Sequence, residues 1–288
     1  MFVSYTGEKI MKILVTGGCG FIGSSLVEQL LKNHEVIVLD NLSNLKKETK
    51  AKLIKGDVRN REDVEKAMHD CEFIFHLAAQ IDVQESIKDP DKDYDINVNG
   101  TRTVVEACKK FGAKIIFPST AAVYGNAEVP IKEDAEKKPM CPYGENKLFA
   151  EELCQEINHF IVRPFNVYGP GGKGVIPKFC EKIMNDQEIL ITNPTSTRDY
   201  IFIDDVIDAL LLGIKHNGIY NVGSGKETTL DEIVKIIEKL TGKKAKIKYG
   251  KPLHEIERSV ADITKIKKLG WKPKTSLEEG IKKTLGLI

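Results

Sequence analysis

The chain has 288 residues, 41% of them hydrophobic and 30% charged, with 43 lysines and arginines against 42 aspartates and glutamates; this length suits one large domain with room for a smaller lobe. The near-neutral balance argues against broad electrostatic binding to nucleic acid or anionic lipid, and no apolar run approaches the ~18 residues that a membrane-spanning helix needs. Cys19, Cys71, Cys108, Cys141, Cys154 and Cys180 form no Cys-x-x-Cys pair and share no zinc-type spacing with histidine, so they read as reduced thiols of a cytoplasmic protein without a metal site.

Residues 1–10 contain no secretory apolar stretch and precede a second methionine, Met11, from which the fold is read. Residues 12–16 predict a strand, 20–32 a helix, 35–39 a second strand ending at Asp40, 61–69 a helix and 73–77 a strand. A helix over 98–111, a strand over 114–117, a helix over 143–155 and a strand over 159–162 follow. Short apolar strands alternating with longer helices specify an α/β chain with a Rossmann-type, doubly wound parallel sheet and right-handed crossovers. After Arg163 the pattern loosens into a loop over 169–174, a helix from Pro177, an acidic-headed helix over 204–215, and a helix over 230–240 with Thr229 as N-cap. Short helices over 262–269 and 277–285 flank the Trp271-Lys-Pro273 turn. This organisation predicts a dinucleotide-binding domain over 11–165, to which 199–222 return, and a smaller substrate-binding lobe over 166–198 and 223–288.

The stretch TGGCGFIG at 16–23 spaces Gly17, Gly20 and Gly23 three apart, between a strand and a helix. Glycines there allow a tight turn and close approach of backbone to a pyrophosphate, which then rests on the helix N-terminus beside Phe21 and Ile22. Asp40 ends the next strand about 20 residues on, where a carboxylate accepts from ribose hydroxyls and repels a 2′-phosphate. No arginine adjoins it in Asn41-Leu-Ser-Asn44, so the cofactor predicted is NAD rather than NADP.

Tyr143 and Lys147 stand four apart on one helix and share a face. A tyrosine with its ordinary pKa of about 10 is a poor base at neutral pH; a nearby ammonium together with the positive charge of oxidised nicotinamide favours the phenolate. Thr120 follows the strand over 114–117, at the end where a parallel sheet binds ligands, and can hydrogen-bond a substrate hydroxyl and share its proton with Tyr143. His76, at the end of a buried strand, reads as a packed residue rather than a base.

These motifs resemble the extended short-chain dehydrogenase/reductase superfamily, and within it the NAD-dependent nucleotide-sugar epimerase/dehydratase family. The likeness runs along nearly the whole chain from Met11: TGGCGFIGS (16–24), Asp40-Asn41, GDV (56–58), HLAAQ (76–80), NVNGT (97–101), STAAVYG (119–125), YGENK (143–147), RPFN (163–166), RDY (198–200), YNVG (220–223) and LGWKP (269–273). By resemblance, Asp57 and Val58 hold the adenine, Leu77, Ala78 and Ala79 line the cofactor, and Lys147 binds the nicotinamide ribose with Phe165 beside the ring. Asn166 and Arg198 are implied to bind the sugar nucleotide's diphosphate, a task for which a guanidinium fork is suited. Relatives that eliminate water carry Asp-Glu after the position of Thr120, and decarboxylating relatives carry Ser-Glu; here Ala121-Ala122 cannot transfer protons.

The resemblance therefore implies 4-epimerisation of a UDP-hexose, UDP-glucose or UDP-galactose, by a homodimer paired through helices near 94–111 and 143–157. The small Ser259, aligned where some relatives place a tyrosine, implies room for N-acetylated sugars. A dehydratase or reductase of the same superfamily is the alternative within catalysis, and a non-catalytic NAD sensor the alternative outside it. The short loop 169–174, the segment 193–197 and Pro252, which stands where an arginine often assists the diphosphate, depart from the family pattern. They bear on nucleotide and sugar identity, not on the catalytic pair.

Overall fold

A computed structural model describes residues 9–44, 47–250 and 256–288; residues 1–8 and Pro252, which figured in the sequence readings, lie outside the described residues. Strand β1 (Lys12–Thr16) buries its last four residues, as a strand covered by helices on both faces must. It is followed by α1 (Phe21–Leu30), β2 (Glu35–Asp40), β3 (Lys52–Lys55), α2 (Arg61–Met68), β4 (Phe73–His76), α3 (Val83–Lys88) and α4 (Pro90–Tyr94). A π-helical turn (Asp95–Asn99) runs into α5 (Gly100–Phe111), then β5 (Lys114–Pro118), a 3₁₀ turn (Ala121–Tyr124), α6 (Pro142–Cys154) and β6 (His159–Pro164). The rest comprises β7 (Asn166–Tyr168), α7 (Val175–Met184), β8 (Glu188–Ile191), β9 (Thr197–Arg198), β10 (Tyr200–Phe202), α8 (Ile203–Leu211) and β11 (Gly218–Val222). It closes with β12 (Thr228–Thr229), α9 (Leu230–Thr241), β13 (Lys246–Tyr249), β14 (Arg258–Ser259), α10 (Thr264–Lys267) and α11 (Leu277–Thr284).

Seven strands form the main sheet in the order β11-β6-β5-β4-β1-β2-β3. The pairings from β3 through β1 to β6 are all parallel. Strand order reverses between β1 and β4, and the crevice outside the carboxyl ends at such a point is where open α/β sheets bind ligands. The Rossmann-type sheet is thus as the sequence predicts.

The chain divides into two compact units: residues 1–123, 139–162 and 210–219, and residues 124–138, 163–209 and 220–288. In the first, Leu14, Leu39, Ile74, Ile115, Phe117 and Ile161 of the sheet pack against Val64, Met68, Val104, Cys108, Ala150 and Cys154 of α2, α5 and α6. The second is built of short strands: β10 pairs with β7, β12 and β14 flank β9, and β13 pairs with β8. Its helix α9 begins with a full capping box, Thr229 and Glu232 satisfying each other's backbone N–H, and stops at Gly242 in the left-handed conformation.

Several elements differ from the sequence reading. β3, Lys-Leu-Ile-Lys, is a sheet-edge strand whose exposed lysines hide the apolar signal. Helices α3 and α4 start at Asp82 and Asp89, whose carboxylates accept from first-turn amides. The helix expected over 98–111 opens with the π-turn, and the one expected over 262–269 is a single turn, α10.

Candidate active site

The first unit carries the glycine turn. Gly17 has φ +67°, and a Cβ there would stand 2.7 Å from Ala78 N; one on Gly23 would stand 2.1 Å from Gly17 O. Only glycine fits either position. Helix α1 has no side-chain cap and no acidic residue in its first turn, and its first internal bond runs from Ser24 N–H to Gly20 O. The amides of Phe21, Ile22 and Gly23 therefore face out from the helix N-terminus, ready for an anion. Asp40 ends β2 with Oδ2 accepting from Cys19 N–H (2.9 Å) and Oδ1 from Leu42 N–H (2.8 Å), which fixes the carboxylate beside the turn. Ser119 Oγ is buried at the carboxyl end of β5 without a hydrogen-bond partner among the described residues. This cradle of glycines, uncapped helix and held carboxylate fits a dinucleotide.

Asp57 follows β3, and the Arg59 guanidinium grips both its oxygens, at 2.9 Å each, while Asn41 Nδ2 donates to Oδ2 (3.1 Å). Arg59 holds the Asp57 carboxyl well below the usual carboxylate range. Its neighbour Val58 is buried. Leu77 N–H donates to Thr16 O and Ala78 N–H to Thr16 Oγ1, so the segment after β4 is tied to the end of β1, with Ala79 next along it.

Tyr143 and Lys147 lie in the first two turns of α6, and Pro142 sets its entry. The Thr120 hydroxyl accepts from Ala122 N–H (3.2 Å), and its interaction with the Tyr143 phenol favours the phenolate. Burial pushes Tyr143 up to about 12; Thr120 opposes this, while Asp93 and Cys141 add to it. Lys147 is buried, its Nζ donating to Pro118 O (2.8 Å) and standing 3.9 Å from the centroid of the Phe117 ring. Burial brings Lys147 down to about 8. The protein thus brings Thr120, Tyr143 and Lys147 together at the end of β5. In the protein alone, burial of the phenol outweighs every influence that would favour its ionisation.

Behind the pair runs a chain of buried hydrogen bonds. Thr101 gives its proton to Asn97 O (2.6 Å), so it accepts from His76 Nε2–H (3.0 Å), and His76 Nδ1 accepts from Thr16 Oγ1 (2.7 Å). His76 is neutral, pushed down to about 3 by burial, and stacks on Phe117 with ring centroids 5.7 Å apart. It is the packed residue that the sequence suggests. Asn97 Nδ2 in turn reaches Asp93, a buried carboxylate that sequence reasoning missed because nothing local marks it.

The second unit holds Phe165, Asn166 and Arg198. Phe165 is buried, its N–H bonded to Val222 O. Asn166 and Arg198 line a cleft of about 340 Å³ together with Tyr168, Ser196, Tyr200 and Leu230. That volume lies within the range of small-molecule sites. Arg198 Nη1 donates to the carbonyls of Thr197 (2.9 Å) and Glu257 (3.4 Å). The adjacent Asp199 is buried and occupied by Ser224, Gly225 and Ala261, which donate to its two oxygens. Ser259 is buried and pairs with Arg198 across β14 and β9.

The sequence model of the NAD dependent epimerase/dehydratase family matches residues 13–223. A putative UDP-glucose 4-epimerase of Methanocaldococcus jannaschii is 39% identical over 295 residues, covering 95% of this chain and 97% of its own length. The crystal structure of the Thermus thermophilus UDP-glucose 4-epimerase complex with NAD has a TM-score of 0.90 at 33% identity, covering 96% of this chain and 98% of that one. The Thermotoga maritima UDP-glucose 4-epimerase with UDP-glucose has a TM-score of 0.90 at 36% identity and the same coverage, 96% and 98%.

Proposed function

Because the chain belongs to the NAD-dependent epimerase/dehydratase family, we propose that it interconverts UDP-glucose and UDP-galactose by 4-epimerisation through a transient 4-keto sugar. The observation that carries this reading is the grouping of Thr120, Tyr143 and Lys147 at the end of β5, followed by Ala121 and Ala122. The Ala122 backbone packs so closely on α6 that a Cβ on Gly144 would stand 2.9 Å from Ala122 O. Proton transfer is thereby confined to the tyrosine, with no neighbouring carboxylate at 121–122 to assist elimination.

In this reading the pyrophosphate of NAD rests on the Gly17–Gly20–Gly23 turn, with Asp40 and Asn41 at the adenosine ribose, Asp57 and Val58 at the adenine, and residues 77–79 along the cofactor. When bound, NAD supplies the hydride acceptor and donor and a positive ring charge. The Tyr143 phenolate removes the proton of the C4 hydroxyl, which Thr120 orients, and returns it to the opposite stereoisomer. Lys147 holds the nicotinamide ribose and keeps a cation beside the phenol. Asn166 and Arg198 bind the diphosphate, and Phe165 lies by the nicotinamide. The dinucleotide-binding part expected over 11–165 with 199–222 then corresponds to the first compact unit, less 124–138, 163–165, 199–209 and 220–222, which fall in the second unit with the sugar-nucleotide residues 166–198 and 223–288. Ser259 leaves room for an N-acetyl group, which predicts loss of N-acetylated but not plain substrates in Ser259→Tyr.

The chain acts as a cytoplasmic homodimer in this reading. Helices α3, α4 and α6 pack on one another, and Ile81, Val83, Ile87, Tyr94 and Phe149 in and around them are exposed. Such a surface marks an association site, and Phe149→Glu should yield monomers in light scattering. The activity itself is tested by incubating the protein with UDP-, GDP- and dTDP-hexoses and separating the products. Interconversion of UDP-glucose and UDP-galactose supports the proposal; a 4,6-dehydratase product, or reduction with release of oxidised cofactor, overturns it.

A further inference from the structure

Asp93 of α4 is 1% exposed, yet no cation among the described residues is bonded to it. Its Oδ1 accepts from Gln80 Nε2 (2.6 Å) and Asn97 Nδ2 (3.1 Å), and its Oδ2 from Asn146 Nδ2 (2.7 Å). All three partners are amide donors, so the group is an acceptor at every contact, as an ionised carboxylate is. The donors come from the segment after β4, from the π-turn, and from α6. Asn146 immediately precedes Lys147 and stands three residues after Tyr143. Two of the donors have a second acceptor, Asn97 Nδ2 at Gln80 O (2.9 Å) and Gln80 Nε2 at Asp82 O (2.9 Å). Asn146 gives its amide to Asp93.

Lys147 presents the complementary problem. Its buried ammonium meets a carbonyl and an aromatic face and, among the described residues, is in hydrogen-bond contact with no carboxylate. The groups that act on it electrostatically are Cys154 and Glu151 of α6 and Asp93 of α4, and across the sheet the neutral His76 feels its charge. Tyr143 faces Thr120, Asp93 and Cys141. Asp93 is the group common to both members of the pair. A buried charge held by neutral dipoles acts on its neighbours through a medium that screens it weakly.

We propose that Asp93 is a positioning residue for the catalytic pair: its carboxylate, gripped by Gln80, Asn97 and Asn146, anchors the first turns of α6 and adds to Glu151 the negative charge that favours the Lys147 ammonium. This rests on the catalytic reading of Tyr143 and Lys147 above. The negative charge acts in opposite senses on the two, favouring the ammonium and disfavouring the phenolate. Its net benefit lies in holding Lys147 charged at the pH of turnover.

The test follows the Lys147 titration by carbon-13 NMR of the lysine Cε, the signal being assigned as the one lost in Lys147→Arg. In the unaltered protein the midpoint is expected near 8. In Asp93→Asn it should fall by at least about half a pH unit, and the alkaline limb of kcat should move down with it. Should Asp93→Asn not fold, Asp93→Leu with Asn146→Leu removes donor and acceptor together, an exchange that can be nearly neutral for stability, and the same downward shift is expected. Coincident Lys147 titrations in folded variants and parent overturn the proposal, as does a loss of kcat without movement of either midpoint, which marks a purely structural residue. The NMR readout is independent of turnover: a chain that does not epimerise but shows the shift removes the functional reading and leaves the charge coupling standing.

Discussion

The two units of the chain place their polar groups in different ways. In the first, a run of buried polar groups lies behind the catalytic pair: Thr16, His76, Thr101, Asn97, Asp93 and Asn146 are linked between β1 and α6, the Thr101–Asn97 link running through the Asn97 carbonyl. In the second, the cleft around Arg198 sets exposed or half-buried polar groups, Asn166, Ser196 and Arg198, beside the buried Tyr168, Ile176 and Tyr200, with the buried carboxylate Asp199 taken up by the backbone behind it. A fully satisfied buried network rigidifies what it holds, which suits a proton-transfer group whose geometry must not drift. A half-open cationic cleft suits binding. On the proposed function, the contrast predicts effects on rate in the first unit and on substrate affinity in the second.

The largest effect that can break this assignment is at Tyr143. Tyr143→Phe leaves the ring and removes the proton acceptor, so kcat should fall ~10²- to 10⁴-fold with little change in KM. Steady-state kinetics with UDP-galactose checks it, and a variant that changes only KM breaks the division. The counterpart in the second unit is Arg198→Ala. With Arg198 on the diphosphate as proposed, loss of a charge-assisted contact of about 1.5–3 kcal/mol should raise KM on the order of 10- to 100-fold with kcat largely kept.

Next in size is Gly23→Ala. With a Cβ 2.1 Å from Gly17 O the turn must open, at a cost of about 1–3 kcal/mol. Chemical denaturation should show the loss of stability, and the protein should no longer retain NAD, while the second unit still binds UDP in calorimetry. At neutral pH the smallest effect concerns His76, whose influence grows only in acid. Its folded pKa of about 3 lies below the ordinary 6.5, so between these values the unfolded chain binds a proton that the folded one does not. Stability should therefore fall as pH falls through that window, by up to about 1.4 kcal/mol per pH unit. Thermal melts of His76→Gln, whose amide can make both bonds, should show a flatter acid limb.

The same contrast explains what the sequence made legible. The glycine turn, Asp40 and the Tyr143–Lys147 pair are local spacings on a strand–turn–helix and a single helical turn, and such spacings survive translation from sequence to structure. Thr120 was legible because it lies two residues beyond a strand of a parallel sheet. Asp93 was not, since its role exists only where residues 80, 93, 97 and 146 meet. The cleft of the second unit is likewise assembled from short strands and turns at 166–168, 174–176, 196–200 and 230, too brief to show a period. Arg198 and Asn166 were named by resemblance, whereas Tyr168, Ser196 and Leu230 join them only in the folded chain.

The claim on which the rest depends is that the sugar's C4 hydrogen leaves and returns within one active site while Tyr143 handles the proton. The most direct test uses UDP-galactose deuterated at C4 in ordinary water. The account predicts UDP-glucose with the deuterium still at C4, formed by the unaltered protein and not by Tyr143→Phe. Product that has exchanged its label with solvent, or undiminished conversion by Tyr143→Phe, contradicts it.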